Sequence, residues 1–248
     1  MIANISYTHM GMIWLSILFA YVIFSVAGFG TALVASPVLA LFMPIAQIVP
    51  LLALLDFFAA SSNLIKNGKN AELGELKRLV PVMVLGSAIG ALILLFTKAN
   101  FLLLLLGVFV IAYALYALSG YKPMRKFTPS LSLPFGLVGG VFSALFGSGG
   151  FVYSIYLSGR IEDKDRIRVT QSTLIGLSTL TRLVFFLVAG VYADLGILSM
   201  ALLLSTAMLG GVYVGRHITL RLSREQFIKV VNVLVLFSGI FLLIRYFS

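Results

Sequence analysis

The stretch SVAGFGT at residues 25–31 interrupts an apolar block that runs from Gly11 to Met43. As one straight helix, these 33 residues would be about 50 Å long, whereas the hydrocarbon core of a bilayer is about 30 Å thick. Glycine destabilises a helix interior and adopts backbone conformations that a helix forbids. We therefore expect Gly28-Phe29-Gly30 to break the block of about 11–43 into a re-entrant helical hairpin.

A second apolar block, at about 131–158, is interrupted in the same way by Gly147-Ser148-Gly149-Gly150. The remaining apolar blocks are of ordinary length for a single membrane crossing. The pattern predicts an all-α polytopic membrane protein in which each broken hairpin precedes three transmembrane helices. The six ordinary blocks lie at about 47–65, 79–97, 99–119, 169–190, 195–215 and 227–247.

The composition excludes several classes of protein. Of the 248 residues, 60% are hydrophobic and only 10% are charged, with a mean hydropathy of +1.10. A soluble domain carries about a quarter charged residues, so a water-soluble globular protein is excluded. The absence of cysteine excludes disulfide frameworks, iron–sulfur clusters and thiol catalysis. No nucleophile–base pair or metal cluster stands out, and the sequence predicts neither an enzyme nor a cofactor.

The net charge of +10 comes from lysines and arginines in short loops between apolar blocks. The chain has 18 basic residues. If both hairpins return to the side on which they began, most of these residues lie on one face of the membrane, and only Lys98 and Arg245 lie on the other. Arg182 stays within a span. Because cytoplasmic loops are rich in lysine and arginine, we expect an inner-membrane protein with both termini outside the cytoplasm. The predicted partner is the lipid bilayer, not nucleic acid.

The same topology makes the two halves inverted repeats. Residues 1–119 form the first repeat, residues 131–248 the second, and the polar, basic segment 120–130 is a cytoplasmic linker. Each repeat contains one hairpin and three crossings, so the second begins on the opposite side of the membrane. An offset of 119 residues relates the repeats and carries Gly28 to Gly147, Gly30 to Gly149 and Asn63 to Arg182.

The two breaks predict a binding site for a small anion. In inverted-repeat transporters, the discontinuous helices mark the substrate site near the middle of the membrane. A short half-helix begins after each break, and its N-terminal amides carry a partial positive charge. Two such ends that converge from opposite sides would bind an anion; alternatively, the glycines only permit close helix packing. The backbone residues predicted to contact the anion are Gly28, Phe29, Gly30, Thr31, Gly147, Ser148, Gly149 and Gly150.

Arg182 is the predicted side-chain ligand of this anion. It lies about 21 Å from the cytoplasmic end of its span, by helical rise, where a charge is costly and by default functional. A guanidinium also binds oxyanions through two parallel donors. Gln171 and Ser178 share its helix face, and Asn63 is its counterpart in the first repeat. Alternatively, Arg182 reaches the outer headgroups or pairs with a carboxylate for structural reasons.

Asp56 is the second charge within a predicted span. It either binds and releases a proton that is coupled to transport, or serves as a structural partner of Arg182. The sequence leaves both roles open.

The two broken hairpins resemble the sulfite exporter TauE/SafE family over essentially the whole chain. The resemblance rests on SVAGFGT at 25–31 with Pro37 behind it, and on Gly139-Gly140 followed by GSGG at 147–150. It implies a membrane carrier for sulfite or for organosulfonates such as sulfoacetate, with the hairpin glycines in the site. Thr31 and Tyr156 stand where the family often has glycine and proline.

Together these features predict a secondary transporter, working as an exporter, that moves a small sulfur oxyanion or organosulfonate by alternating access to a midplane site. The predicted partners are this anion, the lipid bilayer and, if Asp56 carries one, a proton. Two alternatives remain open. One is a passive anion channel of the same fold, and the other is a non-transporting scaffold or enzyme subunit.

Overall fold

The computed structural model describes residues 7–27, 30–67, 71–120, 127–217 and 224–247. Every regular element in these ranges is a helix, which confirms the all-α prediction. The α-helices are α1 (Tyr7–Ala27), α2 (Thr31–Leu39), α3 (Ile45–Asn67), α4 (Leu73–Phe96), α5 (Ala99–Leu118), α6 (Ser132–Phe146), α7 (Gly150–Ser158), α8 (Lys164–Val188), α9 (Leu195–His217) and α10 (Arg224–Phe247).

Six of the described helices are long and apolar enough to cross a membrane. Five of them are α1, α4, α5, α8 and α9, and the sixth, Pro129–Phe146, consists of α6 and the 3₁₀ turn that precedes it. Shorter apolar segments lie in α3, at Ile45–Ala59, and in α10, at Lys229–Ile244. The chain is therefore a multi-pass membrane protein, as its composition predicts.

Both predicted breaks separate a long helix from a short one that contacts it. Gly30, which precedes α2, has a φ of 98°, and Gly147, which ends α6, has a φ of 68°. Residues with a side chain rarely adopt this left-handed conformation, so these glycines set the positions of the breaks. Gly28 and Phe29 lie outside the described residues.

The two arms of each broken block differ in length. α1 has 21 residues and α2 has nine, so α1 is about 32 Å long by helical rise. Likewise α6 has 15 residues and α7 has nine. The first arm of the first block is thus long enough to cross the hydrocarbon core, whereas the second arm reaches less than halfway.

The helices group into two compact units. The first comprises Met1–Leu52, Phe96–Tyr121 and Asp194–Ser248, and the second comprises Ala53–Leu95 and Lys122–Ala193. Each unit combines segments from before and after the predicted linker at 120–130. The boundaries of the units therefore differ from those of the predicted repeats. The units are groups of helices in contact, whereas the repeats are defined by the order of elements along the sequence and remain a prediction.

In the first unit, α1 packs closely against α9. A methyl group at Gly211 would overlap with the carbonyl oxygen of Leu18, and one at Gly215 would come within 2.8 Å of the carbonyl oxygen of Val22. Small residues four positions apart let membrane helices approach at backbone distance. The glycine pair of α9 therefore determines how closely α1 packs.

The second unit contains the corresponding contact between α4 and α6. A methyl group at Gly86 would overlap with the carbonyl oxygen of Leu137, and one at Gly90 would lie 2.5 Å from that of Val141. The offset of 119 residues that relates the two breaks also relates Leu18 to Leu137 and Val22 to Val141. In each unit, the broken helix of one half thus packs on a glycine pair from the other half.

Candidate anion-binding site

Local contacts hold the second break in place. The Oγ atom of Ser148 donates a hydrogen bond of 3.1 Å to the carbonyl oxygen of Phe146, at the end of α6. Gly149 lies so close to α6 that a methyl group there would overlap with the carbonyl oxygen of Gly139. Because a side chain at position 149 has no room, only glycine allows α7 to begin directly beside α6.

α8 contributes two of the predicted site residues to this break. The Nε2 atom of Gln171 donates a hydrogen bond of 3.3 Å to the carbonyl oxygen of Gly150, the first residue of α7. Two turns further along α8, the hydroxyl of Ser178 shares a short hydrogen bond with the hydroxyl of Ser143 in α6. The predicted polar face of α8 therefore meets both arms of the broken block.

Arg182 lies on the same face of α8, one turn beyond Ser178, and is only 2% exposed. Its Nη2 atom donates a hydrogen bond of 3.1 Å to Oγ1 of Thr179. The same atom lies 3.6 Å from Oδ2 of Asp56 in α3, and Asp56 is itself buried. The two charges predicted within the membrane thus form an ion pair, which is the arrangement expected for charges in an apolar interior.

Two nitrogens of the Arg182 guanidinium have no hydrogen-bond acceptor among the described residues. Its Nε and Nη1 atoms are buried and donate no hydrogen bond to any residue that the structure describes. A buried N–H group of a charged side chain that lacks an acceptor costs about 1–3 kcal/mol or more. Arg182 therefore presents two buried nitrogens whose N–H groups need acceptors, and the oxygens of a bound oxyanion are suitable acceptors for a guanidinium.

Tyr153 adds a further hydroxyl to the site. It lies on α7, is fully buried, and its hydroxyl is near Ser178 and Arg182. Its ring packs against α6, where a methyl group at Gly139 would overlap with it. The ring thus fills the space that the glycine leaves, and the hydroxyl faces the polar residues of α8.

The predicted residues differ in what the structure describes of them. Gly147, Ser148, Gly149, Gly150, Gln171, Ser178, Arg182 and Asp56 all belong to the second unit, and most are linked by the contacts above. The hydroxyl of Ser148 is already bound to the backbone. Gly30 and Thr31 belong to the first unit, and their role in the site stays a prediction. Gly28, Phe29 and the side chain of Asn63 lie outside the described residues, although α3 includes the backbone of Asn63.

Three residues of this cluster were missed by the sequence analysis: Ser143, Tyr153 and Thr179. Serine, threonine and tyrosine are common in apolar helices, and nothing in their local sequence distinguishes these three. A pattern of helical spacing would have shown Thr179 next to Arg182, but Ser143 and Tyr153 come from two other helices. Only the fold brings them to α8.

One of three comparisons with known proteins identifies the family of this chain. Comparison with curated proteins and with solved structures finds no match. The model of one protein family, described as "Sulfite exporter TauE/SafE", matches residues 13–242. Members of this family are membrane transporters, not enzymes. With a match over nearly the whole chain, the protein belongs to the sulfite exporter TauE/SafE family.

Proposed function

We propose that the protein is a secondary transporter that exports a small sulfur oxyanion or organosulfonate, such as sulfite or sulfoacetate, through a site centred on Arg182. The observation that carries the proposal is the pair of buried, unpartnered N–H groups on Arg182 within the described structure. A buried donor requires an acceptor, and an anion with several oxygens supplies acceptors for a guanidinium. The family match supports a sulfur-containing anion.

The neighbouring groups favour the same class of ligand. The hydroxyls of Ser143, Ser178 and Tyr153 are neutral donors beside the guanidinium. The start of α7, at Gly150, adds backbone amides and the positive end of a helix. A sulfite or sulfonate group has three oxygens, so it would still accept hydrogen bonds after two oxygens bind Arg182.

Asp56 makes the site electrically neutral in the absence of substrate. Its carboxylate supports the charge of Arg182 at a distance of 3.6 Å, which reduces the cost of burying the guanidinium. An incoming anion adds a negative charge beside Asp56. In one role Asp56 accepts a proton as the anion binds, which couples transport to the proton gradient, and in the other it remains an ionised structural partner.

The orientation follows from the distribution of positive charge. We place the ends of α7 and α9, and the starts of α4, α8 and α10, in the cytoplasm because their loops carry most of the basic residues. Both termini then lie outside the cytoplasm of an inner-membrane protein. An inside-negative potential drives an anion outward with about 2.3 kcal/mol per charge per 100 mV, so export needs no coupling ion.

The transport cycle that we propose alternates access between the two faces through inverted repeats. Two features support the repeats. The same order of elements, a broken pair of helices followed by three long ones, occurs twice. The glycine contacts described above also recur at positions related by the offset that relates the breaks.

A flux assay in proteoliposomes tests the proposal. Arg182→Ala should abolish sulfite efflux, whereas Arg168→Ala, an exposed arginine on the same helix, should leave efflux close to that of the unmodified protein. Sulfite flux that persists in Arg182→Ala would remove Arg182 from the mechanism. A passive channel of the same fold would instead show a cysteine at the site that reacts from both faces at once.

A further inference from the structure

A second polar cluster lies at the other end of α7 and is centred on Glu75 of α4. Glu75 is buried, with 4% of its surface exposed. Its Oε1 atom accepts hydrogen bonds from Nε and Nη2 of Arg160, at 3.0 and 2.8 Å, and from Nη1 of Arg78 at 2.8 Å. Its Oε2 atom accepts one of 2.7 Å from the hydroxyl of Tyr156. One carboxylate thus binds the start of α4 to the end of α7.

Arg160 extends this cluster to the segment before α6. Its Nη1 atom donates a hydrogen bond of 2.9 Å to the carbonyl oxygen of Phe127. The amide of Phe127 in turn donates one of 2.8 Å to the carbonyl oxygen of Gly159. All three guanidinium nitrogens of Arg160 are therefore bound, and the end of α7 is attached to two other segments of its unit.

α7 connects this cluster directly to the anion site. Tyr153, at the site, and Tyr156, at Glu75, are three residues apart on one helix of nine residues. Both pack in the same apolar core, with Leu79 and Met83 of α4 and Leu174 of α8. A helix this short moves as one body, so a displacement of α7 at Glu75 also displaces Tyr153.

The anion site is closed in this conformation. Arg182 and Ser178 are each 2% exposed, and Tyr153 is fully buried. An anion from solution reaches these residues only after some element moves. The contacts of Glu75 are suited to such a movement, because side chains of Arg78 and Arg160 are 46% and 22% exposed and can exchange their hydrogen bonds for bonds to water.

The positions equivalent to Arg160 and Tyr156 in the other half of the sequence are uncharged. The offset of 119 residues relates Arg160 to Leu41 and Tyr156 to Pro37. A shared structural anchor would be expected in both halves. The partners of Glu75 at and just after the end of α7 instead occur in one half of the sequence.

We propose that Glu75 is the lock of a gate on the basic face of the protein. Its hydrogen bonds to Arg160 and Tyr156 hold α7 in the closed position, and they break when the Arg182 site opens to that face. The inference rests on the proposed function, since it takes the Arg182 cluster as the transport site.

Because the chain has no cysteine, one introduced thiol reports opening directly. Ser178→Cys places the thiol in the site, and a membrane-impermeant maleimide is added from the basic face in membrane vesicles without any anion substrate. Adding Tyr156→Phe or Glu75→Gln should speed labelling roughly tenfold, the factor expected from the loss of a hydrogen bond to a charged group. Tyr156→Phe keeps both arginines paired with Glu75, so it serves as the test if Glu75→Gln does not fold.

Glu72→Gln is the matched control. Glu72 pairs with Arg166 at 3.2 Å near the same helix ends, but these side chains are 39% and 60% exposed, so the pair contributes little. Its loss should leave the labelling rate unchanged. An unchanged rate in folded Tyr156→Phe, or an equal increase in Glu72→Gln, would overturn the lock. These labelling rates are compared without any anion, so they test the lock independently of the substrate. In a separate measurement with sulfite added, failure of sulfite to slow the labelling would count against the proposed substrate and not against the lock.

Discussion

Arg182 and Asp56 are close enough to form an ion pair and too far apart to share a hydrogen bond, since 3.6 Å separate Nη2 from Oδ2. Asp56 therefore stabilises the buried positive charge of Arg182 electrostatically, without accepting a hydrogen bond from its guanidinium. The Nη2 atom is bound to Thr179, while Nε and Nη1 have no partner in the described part of the chain. The counter-ion of the arginine and its two unpartnered nitrogens are therefore different parts of the guanidinium.

The two roles of Asp56 give different results for Asp56→Asn. If Asp56 carries the coupled proton, the variant should lose sulfite flux driven by a pH gradient but retain sulfite exchange at equal pH. Asparagine preserves the shape of the side chain but cannot ionise, so Arg182 loses its counter-ion; breaking a buried pair costs about 3–5 kcal/mol. Thermal unfolding of the variant is therefore measured alongside both fluxes. Loss of both fluxes in folded protein, or of neither, contradicts the proton-carrier role.

Arg182→Lys tests the two-donor geometry. A lysine keeps the charge but replaces the planar fork with a single ammonium group, so sulfite should bind at least about tenfold more weakly, one hydrogen bond to a charged group being worth about 1.5–3 kcal/mol. The measurement is the increase in melting temperature of the detergent-purified protein with sulfite concentration, because a ligand that binds the folded state stabilises it. Arg168→Lys is the control and should show the unmodified response. Equal stabilisation of both variants would mean that the charge alone suffices.

Gly30→Ala tests whether the first break depends on its left-handed backbone. A methyl group at Gly30 meets no atom within 4 Å, but φ is 98°, so alanine should cost about 1–2 kcal/mol through strain alone. Gly74→Ala is matched, since its methyl group also meets nothing within 4 Å and Gly74 is helical. Alanine there should instead stabilise by about 0.5–1 kcal/mol. Thermal unfolding compares the two variants, and a shift of the same sign in both would argue against the strain.

Gly211→Ala tests the close packing of α1 on α9. The added methyl group would overlap with the carbonyl oxygen of Leu18, so the helices must separate, at a cost of about 1–3 kcal/mol. A methyl group at the adjacent Gly210 would lie 3.8 Å from its nearest neighbour, a side-chain atom of Leu18, and Gly210→Ala should be neutral or slightly stabilising. The melting temperature of each variant is compared with that of the unmodified protein, and only Gly211→Ala should lower it. If both remain at the temperature of the unmodified protein, the contact contributes nothing.

The sequence predicted the breaks and the buried charges because each leaves a local signal. An apolar block too long for one crossing and a glycine cluster within it point to a broken helix without any knowledge of the fold. A charge within an apolar span is equally visible, and the two such charges, Asp56 and Arg182, were expected to pair as one of two options. The structure confirms that they are in contact.

The residues that the sequence analysis missed depend on contacts between distant segments. Glu75 lies near the end of a predicted span, where a charge is ordinary, and its partner Arg160 is 85 positions away in the sequence. Ser143 lies 35 positions before Ser178, the predicted residue that it contacts, and its hydroxyl is not unusual in an apolar helix. The unequal arms of the first block were also missed, because α1 begins at Tyr7, in a segment more polar than the block itself.

The interleaving of segments within the units bears on how the chain is made. α1 is synthesised before α9, whose glycines contact the backbone of Leu18 and Val22, and seven other described α-helices lie between them in the sequence. Until α9 is inserted, the surface of α1 that packs on α9 is therefore exposed to lipid or covered by an insertion factor. Truncated chains that end before Gly211 are accordingly expected to be targets of membrane quality control.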